Sequence, residues 1–148
     1  MLENFLATAD ADRQVEARIA AECAIAWLAA QKANVASKAQ LCEAFTQLDT
    51  AGSAELRRTA DFRFHTLLAD IADNPILSTL SATLMETVSR GDHEAIYRQQ
   101  NVPARTDDQH WNILVAVCAN DPEASERAMK AHMQFIYRSA PLEASGRG

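Results

Sequence analysis

Asp61-Phe62-Arg63-Phe64-His65-Thr66-Leu67-Leu68-Ala69-Asp70-Ile71-Ala72-Asp73-Asn74-Pro75 holds both a helix's apolar stripe and its stop signal. Leu56, Phe64, Leu67, Leu68 and Ile71 recur at helical spacing, and Ser53 stands where a side-chain oxygen can cap the first turn. The pattern predicts a helix from Ala54 to Ala72. Asn74-Pro75 closes it and opens another, because asparagine caps and proline suits the first helical position. That next helix is expected from Pro75 through Val88, resuming beyond Gly91 towards Gln99 and ending at Pro103 at the latest.

The same punctuation organises the rest of the chain. Upstream, Val15, Ile19, Ala26 and Ala30, beside Cys23, Trp27 and Leu28, predict a first helix from Asp12 to Ala33. Ser37 with Gln40 forms a capping-box pattern for a second, ending at Leu48 or Asp49 before the break Thr50-Ala51-Gly52-Ser53. Downstream, Thr106 with Gln109 predicts a helix to Ala119, and Asp121-Pro122 predicts a last one to Arg138. About six helices with short connections imply an all-α antiparallel bundle over residues 12–139, with a leader at 1–11 and a flexible tail at 140–148.

Composition agrees. The chain has 148 residues, 48% hydrophobic, with four glycines and four prolines, which suits one helical domain with its own core. A net charge of -6 and no basic patch argue against grip on a phosphate backbone. Cys23, Cys42 and Cys118 are odd in number and set among apolar residues, as buried reduced thiols are, which fits the cytoplasm. No apolar run is long enough to span a membrane, and the start lacks the basic residues of a signal peptide.

Polar residues fall where the core should be. Asp61 and His65 are four apart, on one helix face in line with Leu68 and Ala72. His110 aligns with Ile113, Leu114 and Val117, and His132 sits between Met129 and the pair Phe135 and Ile136. A lone histidine on an apolar face is most often a hydrogen-bonded core residue. Three histidines and an aspartate aimed into one bundle, however, need mutual satisfaction, which a divalent cation supplies: zinc, nickel, iron or manganese. Periodicity alone leaves open whether the helices converge. His93, in Gly91-Asp92-His93-Glu94, reads as solvated.

These residues carry a family resemblance. The segment from Asp61 to Leu68, followed by Ala72-Asp73-Asn74-Pro75-Ile76-Leu77, resembles the aspartate-x-x-phenylalanine-histidine motif of the FCD domain, the C-terminal effector domain of FadR-type regulators in the GntR family. His110-Trp111-Asn112-Ile113-Leu114-Val115-Ala116-Val117, with Asp121, Ala124, Ala128 and His132, is similar to that family's paired histidine helices; Glu16-Ala17-Arg18 and Glu22 resemble its first helix. The resemblance implies that Asp61, His65, His110 and His132 bind a divalent metal, over which a small organic acid completes the coordination. It implies that Arg18 pairs with that acid's carboxylate, although Arg18 and Glu22 at i,i+4 would also suit a surface pair. Asn74 is a helix cap first and an effector contact second.

A homodimer is implied too, and so is DNA binding through a winged helix-turn-helix, for which this sequence has no counterpart: the chain reads as an excised domain or a truncated relative. The competing reading is a mononuclear metal-dependent hydrolase or other small-molecule enzyme on a helical bundle, which would need a general base; Glu86 and Glu94 are the open candidates. A di-iron carboxylate bundle would need Glu-x-x-His on two helices, and the sequence has none.

Overall fold

The structure is a computed structural model, and it describes residues 1–89 and 102–139. Within them lie α1 (Leu2–Thr8), α2 (Ala11–Lys32), α3 (Val35–Asp49), α4 (Ala54–Ala72), α5 (Pro75–Ser89), α6 (Val102–Cys118) and α7 (Pro122–Ser139). No strand occurs among the described residues, so the all-α expectation holds. The expected continuation from Gly91 to Gln99, with His93 and Glu94, and the tail from 140 to 148 lie outside the described residues.

Three helix starts, those of α4, α5 and α7, are set by the caps that the sequence offered. Ser53 Oγ accepts the Leu56 N–H at 3.1 Å, Asn74 Oδ1 accepts that of Leu77 at 3.2 Å, and Asp121 Oδ1 accepts that of Ala124 at 3.0 Å. Three details differ from expectation. The capping box of α3 begins at Asn34, not Ser37: Asn34 Oδ1 takes the Ser37 N–H while Ser37 Oγ takes the Asn34 N–H, both at 2.9 Å. Serine at the third position thus does the work expected of Gln40, and the helix gains its first residues. Helix α6 starts at Val102, ahead of Thr106, with Pro103 in the first turn, where a missing N–H costs nothing. The expected leader contains α1, which buries Leu6 and is tied to α2 by Gln14 Nε2, donating to the Leu6 and Ala9 carbonyls at 2.8 Å.

Helix α2 is central, packing on α4, α5, α6 and α7. Its inner face is small: Ala26, Ala29 and Ala30 are fully buried beside Ile25, which lets neighbouring helices approach closely. Around it lie Leu41 and Ala44 of α3, Phe64 and Leu68 of α4, Ile113 and Val117 of α6, and Met129 and Met133 of α7. Two polar ties fix the far end. Ser125 Oγ donates to the Ala26 carbonyl at 2.9 Å, and Asn120, left-handed at φ 53°, donates from Nδ2 to the Ala30 and Ala33 carbonyls at 2.8 and 3.0 Å. Of the cysteines, Cys23 is buried as expected, but Cys118 is half-buried and Cys42 is exposed on the outer side of α3.

Candidate metal centre

The side chains of Asp61, His65, His110 and His132 meet inside the bundle. One face of α4 supplies Asp61 and His65, α6 supplies His110 and α7 supplies His132; none is more than 4% exposed. One potential ligand atom from each lies within 4.8 Å of the others. Donors bound to one cation at about 2.1 Å are at most about 4.2 Å apart, so small side-chain adjustments suffice to bring all four onto one ion. Within the group, His110 Nε2 is 2.8 Å and His65 Nε2 3.7 Å from Asp61 Oδ1. The His65 and His132 rings stack with centroids 5.4 Å apart, His110 and His132 meet edge-on at 4.2 Å, and Phe64 closes one side by an edge contact with His110 at 5.1 Å.

This set fits a divalent cation on the chemistry of its donors and on their polar bookkeeping. His65 Nε2 and His132 Nε2 are buried without a hydrogen-bond partner among the described residues, a state that is costly unless something else takes their lone pairs. Burial and the neighbouring His110 and His65 hold His132 well below the ordinary imidazole range, so it is a neutral donor at pH 7. His65 goes the other way. Burial lowers it, but its hydrogen bond to Glu22 and the charges of Asp61 and Glu22 outweigh that and raise it. Glu22 is held below the usual carboxylate range: burial opposes this, yet His65, Arg18 and Ser81 prevail.

Arg18 is 1% exposed and Glu22 fully buried, so the surface pairing that their spacing allowed is not formed. Arg18 Nη1 donates to Tyr137 Oη at 2.7 Å, and its charge is felt at Glu22, His65 and His132. Asn74 makes the hydrogen bonds of a helix cap, to Leu77 and Ser78.

Sequence reasoning missed Glu22, Ser81, Gln109 and Tyr137. The signal for Glu22 was its place on the stripe of Ile25, Ala26 and Ala29; for Ser81 it was the row with Leu77 and Leu84. Gln109 was assigned to a capping box and instead faces His132, its Oε1 2.8 Å from Nδ1.

An all-helical bundle enclosing an aspartate and three histidines defines a class of domain able to hold a cation at its centre. Comparison with known proteins gives the family: the FCD domain profile matches residues 14–135, and the chain belongs to that family. It is 26% identical over 126 residues to the "Putative L-lactate dehydrogenase operon regulatory protein" of Escherichia coli K12, covering 83% of this chain and 48% of that protein. It is 30% identical over 132 residues to the HTH-type transcriptional regulator LutR of Bacillus subtilis, covering 86% and 60%. Over 93 residues it is 30% identical to the HTH-type transcriptional repressor NanR of an Enterobacter species, covering 60% and 34%. The chain thus spans about half the length of the curated relatives it matches. No helix among the described residues is long and apolar enough to cross a membrane.

Proposed function

We propose that this chain is the sensing domain of a transcription regulator, in which Asp61, His65, His110 and His132 hold a divalent cation and Arg18 meets the carboxylate of a small organic acid. The convergence of four buried donors from three helices carries the reading. When bound, the cation supplies positive charge and open coordination positions; zinc, nickel, iron and manganese all suit imidazole and carboxylate donors. The protein's own part is to supply donors in the right protonation state, exclude water, and aim Arg18 at the same interior, where a charge-assisted pair is strong. The regulatory names of the relatives support sensing over the hydrolase alternative, and the lactate operon in one name makes 2-hydroxy acids the first effectors to try. Of the two bases that a hydrolase could use, Glu86 is exposed on α5, whereas the four donors are buried, and Glu94 lies outside the described residues.

In the whole regulator, a cytoplasmic homodimer, the acid acts on DNA through a winged helix-turn-helix by favouring one arrangement of the two copies. Calorimetry tests the sensing step. L-lactate and small dicarboxylates should bind the metal-loaded chain and bind more weakly to its His110→Ala variant. Equal binding to the metal-free chain sinks the reading.

A further inference from the structure

Two of the three imidazoles are gripped from behind. His65 Nδ1 lies 3.4 Å from Glu22 Oε2, and the other oxygen, Glu22 Oε1, accepts a hydrogen bond from Ser81 Oγ at 2.5 Å. All three side chains are buried, Ser81 being the most exposed at 3%. His132 Nδ1 lies 2.8 Å from Gln109 Oε1. An imidazole can offer a lone pair at one nitrogen only if its hydrogen sits on the other. An ionised carboxylate only accepts, so Glu22 requires the hydrogen of His65 at Nδ1 and leaves Nε2, the nitrogen on the Asp61 side, as the donor to a metal. The carbonyl oxygen of Gln109 makes the same demand of His132, whose Nε2 is buried in the cluster.

We propose that Glu22, braced by Ser81, and Gln109 are positioning residues that fix the tautomer and ring orientation of His65 and His132 and so set the affinity of the cluster for a divalent cation. The inference rests on the metal reading above and goes beyond its four ligands. Glu22 is the stronger of the two controls. Its charge reinforces the basicity of His65 as well as its orientation, and α2, α4 and α5 each contribute one member of the Glu22-His65-Ser81 chain. A glutamine in its place turns freely between accepting from Nδ1–H and donating to bare Nδ1; the second arrangement puts the hydrogen on Nε2 and blocks ligation.

Zinc ion competed against a chromophoric chelator measures the affinity, and nitrogen-15 NMR of the zinc-loaded protein reads the Nδ1–H signals of His65 and His132. Glu22→Gln should weaken zinc binding about 10- to 100-fold, the range typical of such outer partners, and move the His65 signal while leaving that of His132 in place. Ser81→Ala should do the same by several-fold, and Gln109→Ala should move only the His132 signal. A structural role alone would change unfolding temperature without this residue-by-residue pattern. If wild type binds zinc and the Glu22→Gln and Ser81→Ala variants match it in affinity and signals, the inference is overturned and the metal reading stands. If wild type binds no zinc, both fall. Should Glu22→Gln fail to fold, the Ser81→Ala and Gln109→Ala results decide alone, unchanged values overturning the proposal.

Discussion

Replacing His132 by alanine separates what the cluster does for the metal from what it does for the fold. The side chain is fully buried, its Nδ1 lies 2.8 Å from Gln109 Oε1, and its Nε2 has no hydrogen-bond partner among the described residues. In metal-free protein, two effects oppose each other. Losing the bond to Gln109 and leaving a void destabilise, by about 1 kcal/mol for a neutral hydrogen bond plus the cavity. Removing a buried unsatisfied nitrogen gives back about 1–3 kcal/mol. The metal-free variant should therefore unfold within a few degrees of wild type. With zinc at a hundred times the wild-type dissociation constant, linkage stabilises wild type by about 2.7 kcal/mol. For a chain of this size, that raises the Tm by about 5–11 °C. A variant binding a hundredfold more weakly gains about 0.4 kcal/mol at the same zinc concentration, or about 1–2 °C. Differential scanning calorimetry with chelator and with zinc gives all four numbers. If zinc raises the variant's Tm as much as that of wild type, His132 is not a ligand.

Acidity should act with a definite sign. Binding metal requires a neutral His65, whose pKa is raised, so zinc affinity should climb as pH rises through that raised value and level off above it, measured by chelator competition across pH. In metal-free protein, the His65 contribution to stability is present below its unfolded pKa and lost as pH rises through the folded one. The lowered His132 makes a contribution that is present above its unfolded pKa and lost as pH falls, so chemical denaturation should show greatest stability between the two. Arg18→Met should weaken carboxylate binding about 10- to 100-fold, the worth of a hydrogen bond to a charged group, while zinc binding stays equal or tightens because a like charge is gone; calorimetry of each ligand checks both. Asn120→Ala should destabilise by about 2–3 kcal/mol, through the left-handed backbone and the lost bonds to Ala30 and Ala33, without changing zinc stoichiometry; urea unfolding with metal titration tests this.

The starts of α4, α5 and α7 were legible because Ser53, Asn74-Pro75 and Asp121-Pro122 each offer one good cap next to an apolar stripe. The start of α3 was not, since Asn34 and Ser37 are both competent caps and the sequence does not rank them. Helix α1 escaped because seven residues hold too few turns for a period, and its order comes from tertiary contacts through Leu6 and Gln14. At the candidate site, Asp61, His65, His110 and His132 announced themselves by breaking apolar rows, and the family motif tied them together. Their convergence is a property of how α4, α6 and α7 pack, which periodicity does not encode. Arg18 and Glu22 show the same limit from the other side: i,i+4 spacing fixes that two charges share a face, but only packing decides whether that face is wet or buried.

Three imidazoles and one carboxylate of this chain, from Asp61, His65, His110 and His132, are expected to share one cation. X-ray absorption on protein reconstituted with zinc and freed of excess measures stoichiometry, ligand atoms and distances together. One zinc per chain is expected, with three histidine nitrogens at about 2.0–2.1 Å and oxygen at about 2.0–2.2 Å. Retention of no zinc, or a shell containing sulfur from Cys23, Cys42 or Cys118 at about 2.3 Å, would contradict it.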